Sequence, residues 1–271
     1  MNIKQVIAEL YQHLGLRFIN LLARSKKYQL SADISYGAHD RLKLDYYRIK
    51  GESKKPTIIF FYGGNWRSGD RQNYRFVADT LTSLGYNVII PDYRLYPLVR
   101  FSEIQEDVIE ATHWALREVP SDQPLIVMGH SAGAQLGALL CLNSSLLNTE
   151  YKANDRIKGF IGLAGPYDFY PFTEDDHWDL FGPASRYAET QAINYVRSDS
   201  PPLYLLHGET DIRVRRGNSK SLMEKAQAKG CRASREVYKN TGHVDIILGF
   251  TRFHRDKSPV IRDIVNFLEK L

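Results

Sequence analysis

The sequence predicts an α/β fold: a mostly parallel, eight-stranded sheet with helices on both faces. Three observations predict it. Short Val- and Ile-rich runs alternate with helical stretches of 10 to 16 residues, the rhythm of βαβ units. The inner runs, such as Thr57–Phe61 and Leu125–Met128, are apolar throughout, as strands covered on both faces are. The 271-residue chain is 43% hydrophobic and 25% charged, a globular balance long enough to bury a sizeable core. No repeat or low-complexity linker divides it, so residues 1–271 read as one domain.

Residues 1–30 open the chain as an amphipathic helix, with Ile3, Val6, Ile7, Leu10, Leu14, Phe18 and Leu21 recurring at three- to four-residue steps. Eight strand signals follow: Ile34–Tyr36, Leu42–Ile49, Thr57–Phe61, Asn87–Ile90, Leu125–Met128, Gly159–Leu163, Leu203–Leu206 and Ser234–Tyr238. Helical patterns fall at Tyr74–Leu84, Glu103–Glu118, Ala132–Leu142, Ser219–Ala228 and Ile261–Leu271. One segment breaks the rhythm. Residues 165–200 carry eight aromatics and no clear periodicity, which predicts a lid or pocket wall formed together with the N-terminal helix.

Charge and cysteine content exclude several classes. The net charge is +5, and residues 1–30 hold most of it through Lys4, Arg17, Arg24, Lys26 and Lys27 against Glu9. Without a basic block or a helix-turn-helix pattern, no nucleic-acid partner is expected. The basic helix instead predicts a cap over the site or a weak membrane-surface contact. Glu9, Arg17 and Arg24 interrupt it, so it is too short an apolar run to span a bilayer. Cys141 and Cys231 cannot form a disulfide framework, and with no secretory signal the expected location is cytoplasmic.

The strongest chemical signal is Gly129-His130-Ser131-Ala132-Gly133, placed between an apolar strand and a helix rich in small residues. A serine lifted out of a sharp strand-to-helix turn needs glycines two positions either side, where side chains would collide. Ser131 is therefore the candidate nucleophile. Its hydroxyl needs a base, and the base needs an orienting carboxylate. His243 lies in the short loop Thr241-Gly242-His243 after the last strand and is the candidate base. Asp211, in His207-Gly208-Glu209-Thr210-Asp211 after the preceding strand, is the favoured acid, with Asp168 and Asp245 as competitors. All of these follow strand ends, where ligand-facing loops collect in open parallel sheets. An oxyanion would meet the amides of Ala132 and, from Phe61-Tyr62-Gly63-Gly64-Asn65-Trp66, of Gly64 and Asn65.

These motifs, in this order, resemble the α/β-hydrolase superfamily, specifically its carboxylesterase branch related to hormone-sensitive lipases and arylformamidases. Tyr62-Gly63-Gly64-Asn65-Trp66, Asp92-Tyr93-Arg94-Leu95, Gly129–Gly133, His207–Asp211 and Gly242-His243 carry the resemblance from about Asp33 to Leu271. It implies a Ser131–Asp211–His243 triad, Gly64, Asn65 and Ala132 as oxyanion donors, and acyl transfer without a cofactor. Tyr62 departs from the family, which usually has His there. Trp66, Tyr62, His130, Tyr167 and Phe169 are expected against a small-molecule ester substrate. No metal is expected: Glu174-Asp175-Asp176-His177-Trp178-Asp179 reads as a solvated loop, as does the basic turn of Arg213, Arg215 and Arg216. An ester hydrolase is the first reading, an arylformamidase acting on N-formylkynurenine the second, and a non-catalytic binding protein the third.

Overall fold

The computed structural model describes Asn20, residues 28–147 and residues 153–271. Eight strands form one sheet: β1 (Tyr28–Ser35), β2 (Lys43–Ile49), β3 (Thr57–Phe61), β4 (Val88–Pro91), β5 (Leu125–His130), β6 (Ile157–Leu163), β7 (Leu203–Gly208) and β8 (Ala233–Tyr238). Their spatial order is β1-β2-β4-β3-β5-β6-β7-β8. β2 runs antiparallel to both neighbours, and every pairing from β4 to β8 is parallel. Every residue of β3, β4, β5 and β7 is buried, whereas the edge strands β1 and β8 are only partly covered. That is why the inner strands read as continuous apolar runs.

Helices cover the sheet: α1 (Arg75–Ser83), α2 (Phe101–Glu118), α3 (Ala132–Leu142), α4 (Asp175–Leu180), α5 (Gly217–Ala228) and α6 (Pro259–Leu268). α3 is buried at all eleven positions, so its composition has no polar face. Its small residues let it lie close on the sheet: a Cβ at Gly137 would sit 2.9 Å from Val127 Cγ1. α6 is the amphipathic opposite. Val260, Ile261, Ile264, Phe267 and Leu268 face inward, and Phe267 stacks on Tyr204 at 5.0 Å.

The amphipathic helix expected over residues 1–30, with its roles as cap and membrane contact, lies mostly outside the described residues. At its end the expectation is corrected, because Tyr28–Leu30 belongs to β1. Tyr28 pairs with Ile49 in antiparallel register and sets its ring edge-on to Tyr47 at 5.3 Å. An edge strand with one neighbour and mixed burial leaves no clean period of two, so it merged with the helical pattern before it. Asn20 is helical and buried; it accepts from the Phe76 amide in α1 at 3.1 Å and donates to the Asn73 carbonyl just before that helix. Among the described residues, no helix is long and apolar enough to cross a membrane.

Candidate active site

Four loops meet at the carboxyl end of the sheet, following β3, β5, β7 and β8. The sharpest is the turn from β5 into α3. Ser131 adopts φ 54° and ψ −123°, a strained conformation for a residue with a side chain, which costs on the order of 1–2 kcal/mol. The flanking glycines show why the turn closes. A Cβ at Gly129 would lie 2.3 Å from Gly133 O, and one at Gly133 would lie 2.1 Å from Phe61 O. The Ser131 amide donates to Leu163 O at 2.9 Å, fixing the strained residue to β6.

The loops after β7 and β8 are joined to each other. Thr210 N donates to Thr241 O at 3.0 Å and Glu209 N to Tyr238 O at 2.9 Å, while a Cβ at Gly208 would lie 2.2 Å from Thr241 O. This close approach brings His243 onto Asp211. His243 Nδ1 lies 2.8 Å from Asp211 Oδ2, and its Nε2 lies 2.9 Å from Ser131 Oγ. A carboxylate can only accept, so Nδ1 carries the hydrogen and Nε2 is left to accept the serine proton. His243 is buried, and Ser131 is partly exposed.

Asp211 accepts more than the His243 bond. The amides of Arg213 and Val214 donate to its Oδ1 at 2.9 Å each, and His207 Nε2 lies 3.2 Å from Oδ2. Burial alone would raise its pKa, but the hydrogen bonds from His207 and His243 outweigh it and hold the carboxyl well below the usual range. The bond to His243 Nδ1 is made by Asp211 and by neither competitor. Asp168 is exposed, with its amide donating to Asn218 Oδ1 at 2.9 Å, and Asp245 accepts from the Gly242 amide at 2.8 Å.

The loop after β3 lies against the serine turn: a Cβ at Gly63 would be 2.8 Å from Ser131 Cβ. Gly64 sits at φ 144°, with its oxygen accepting from the Arg67 and Ser68 amides at 3.0 Å each. Asn65 and Trp66 follow at φ 52° and 57°. Ala132 opens α3, where a first-turn N–H has no partner within the helix. The loop that carries Gly64 and Asn65 thus lies beside the turn that carries Ser131 and Ala132.

Three residues expected against substrate turn out to be buried supports. Tyr62 is fully buried, stacked on Tyr93 at 4.8 Å and Tyr74 at 5.3 Å, and its hydroxyl donates to Asp92 Oδ1 at 2.7 Å. His130 is 3% exposed and donates from Nε2 to His243 O at 3.1 Å, so it is packed behind His243. Tyr167 is fully buried with its ring edge-on to Phe160 at 6.2 Å. Sequence position marks proximity to the serine, but side-chain direction on a turn is set by packing. Trp66 and Phe169 do meet, stacked at 6.0 Å, although Trp66 is only 2% exposed.

The stretch Glu174–Asp179 is also more than the solvated loop expected. Its last five residues begin α4, and the stretch packs onto the β3 loop: Arg67 pairs with Asp176 at 2.7 Å, and Asn65 Nδ2 donates to Glu174 Oε2 at 3.1 Å. Among the described residues no group of acids, histidines and cysteines could hold a metal. The basic turn is solvated as expected, with Arg213, Arg215 and Arg216 exposed.

Four supports were not read from the sequence. His207 donates to Val214 O at 3.0 Å, closing the Asp211 loop. Tyr93 donates to Tyr62 O at 2.8 Å, and buried Arg71 pairs with Asp33, Asp45 and Asp92, the acceptor of Tyr62. Buried Gln135 accepts from Trp66 Nε1 at 3.2 Å and donates to Thr190 O at 2.8 Å. Asp92-Tyr93 and Gln135, one turn after Ser131, were the available signals; Arg71 had none.

Known proteins place this architecture. The chain is 24% identical over 247 residues to the isoprenylcysteine alpha-carbonyl methylesterase ICME of Arabidopsis thaliana, a match covering 81% of this chain and 58% of that protein. It is 24% identical over 242 residues to the kynurenine formamidase of Drosophila melanogaster, covering 85% and 80%. The chain thus spans little more than half of the plant relative. Its fold superposes on esterase B from Lactobacillus rhamnosis with a TM-score of 0.77, at 19% identity over 99% of this chain and 93% of that one. The sheet, its helices and that likeness make this an α/β-hydrolase fold, and with the BD-FAE family model matching residues 44–226, more than half of its length, the chain belongs to the BD-FAE family.

Proposed function

We propose that the chain is a carboxylesterase-type serine hydrolase that cleaves small to medium acyl esters through Ser131, His243 and Asp211. The observation that carries this reading is the unbroken chain of contacts from Ser131 Oγ to His243 Nε2 at 2.9 Å and from His243 Nδ1 to Asp211 Oδ2 at 2.8 Å. Ser131 Oγ bonds to the ester carbonyl carbon while its proton passes to His243. The tetrahedral oxyanion takes the amides of Gly64, Asn65 and Ala132, and Asp211 stabilises the imidazolium without itself taking the proton. When the carbon–oxygen bond breaks, His243 returns the proton to the leaving alcohol. Water then repeats the sequence on the acyl-enzyme and restores the serine.

Residues 165–200 act as a lid in this reading, with Trp66 and Phe169 in the wall between lid and serine. The chain works as a single domain on a small-molecule ester in the cytoplasm, in keeping with the free, buried Cys141 and Cys231. The esterases among its relatives support the reaction class. A second reading, an arylformamidase, draws on the Drosophila kynurenine formamidase, which the chain covers to 80%.

A fluorophosphonate probe with mass mapping tests the chemistry: Ser131 carries the adduct, and Ser131→Ala is unlabelled and inactive while still folded. Labelling elsewhere, or turnover surviving in that variant, overturns the mechanism. A panel of p-nitrophenyl esters and a methyl ester, run beside N-formylkynurenine, ranks the substrates. Efficient turnover of the formamide alone reverses the order.

A further inference from the structure

We infer that the 165–200 segment sets the pose of the oxyanion loop, with His177 and Gln135 as positioning residues; this rests on the serine mechanism proposed above. The segment grips three consecutive residues of that loop. The Asn65 side chain accepts from His177 Nε2 at 3.0 Å and donates to Glu174 Oε2 at 3.1 Å. The Trp66 ring is enclosed by Phe181 at 4.9 Å, His177 at 5.5 Å and Phe169 at 6.0 Å. Arg67 pairs with Asp176 at 2.7 Å.

Gln135 completes the clamp from the other side. It stands one turn after Ser131 on α3, accepts from Trp66 Nε1 at 3.2 Å and donates to Thr190 O at 2.8 Å. One fully buried amide thus ties the nucleophile's helix, the oxyanion loop and the 165–200 segment together. Asn65 and Trp66 need such holding, since both occupy positive φ without being glycine. An acyl chain that presses on the segment therefore acts on the amides facing the oxyanion, so its contacts appear in kcat and not only in KM.

His177→Phe tests the clamp because it keeps a ring against Trp66 and Phe181 and deletes the bond to Asn65, together with the longer 3.6 Å approach to Glu174. With p-nitrophenyl butyrate, kcat falls roughly tenfold, as expected for a sub-ångström displacement of positioned groups. KM stays within about twofold of wild type, and the melting temperature is unchanged. His177→Gln, whose amide N–H reaches Asn65, recovers most of the loss. Gln135→Met gives the same kcat-weighted loss where it folds. A folded His177→Phe with unchanged kcat overturns the inference, as does a failure of Gln to recover what Phe loses. Ser131→Ala run alongside keeps the two claims apart: turnover in it overturns the serine mechanism, while an inactive Ser131→Ala beside a fully active His177→Phe overturns only the clamp.

Discussion

His130 makes a prediction whose size follows from its surroundings. Its ring is buried 5.0 Å from that of His243, and burial first, then the neighbouring His243 charge, pushes its pKa down to about 3 from 6.5. The native state therefore refuses a proton that the unfolded chain accepts. Above pH 6.5 both states are neutral and the residue contributes nothing to pH dependence. As pH falls below 6.5 the unfolded state gains the proton alone, and stability drops by about 1.4 kcal/mol per pH unit until the native ring also protonates near pH 3. The whole window amounts to ~5 kcal/mol, of which ~3 kcal/mol has gone by pH 4. His130→Gln removes the titration and keeps a donor for His243 O. Urea unfolding of both proteins at pH 7 and pH 4 isolates the effect, because every other group titrates alike in the two. The stability gap between the two pH values should be ~3 kcal/mol smaller in the variant. Parallel profiles would refute the assignment of His130 as a buried neutral ring. The same neutrality matters in the proposed reaction, since a charged His130 would oppose the imidazolium that forms on His243.

Three further outcomes are expected. Asp211→Asn turns an acceptor toward His243 Nδ1 into a donor and favours the wrong tautomer, so kcat should fall on the order of 10³–10⁴-fold with circular dichroism unchanged; a loss under tenfold would contradict the triad. Gly133→Ala places a Cβ 2.1 Å from Phe61 O and should cost ~3 kcal/mol in denaturant unfolding, or prevent soluble expression. Tyr62→Phe deletes the hydroxyl that donates to Asp92 at 2.7 Å but leaves the stacked ring, which should cost ~1–2 kcal/mol of stability while KM for small esters stays unchanged, as suits a support without substrate contact.

Much of the fold was legible because short, continuous apolar runs alternate with longer helical stretches. Thr57–Phe61 matches β3 residue for residue, and Ala132–Leu142 matches α3. Both are buried on all sides, so composition and flanking glycines, rather than amphipathic pattern, mark their limits. The register that sends β2 antiparallel to two neighbours leaves no such trace, nor does the early start of β1. β1 is paired once and mostly solvated, so its residues answer weakly to either period.

The site divides along the same physical line. Ser131, His243 and Asp211 were readable because each must sit in a loop of special geometry, and glycines at 129, 133, 208 and 242 betray those loops. What surrounds them was not readable, because a side chain's direction on a turn depends on partners far away in sequence. Tyr62 is the instructive case. Beside Gly63-Gly64 it looks like part of a substrate wall, yet it points inward to Asp92, thirty residues on, within a stack of tyrosines. The Tyr62 hydroxyl thus makes a buried hydrogen bond beneath the loop instead of facing the site. The pose of Gly64 and Asn65 then depends on Asp92 and Arg71 from below and on His177 and Gln135 from above.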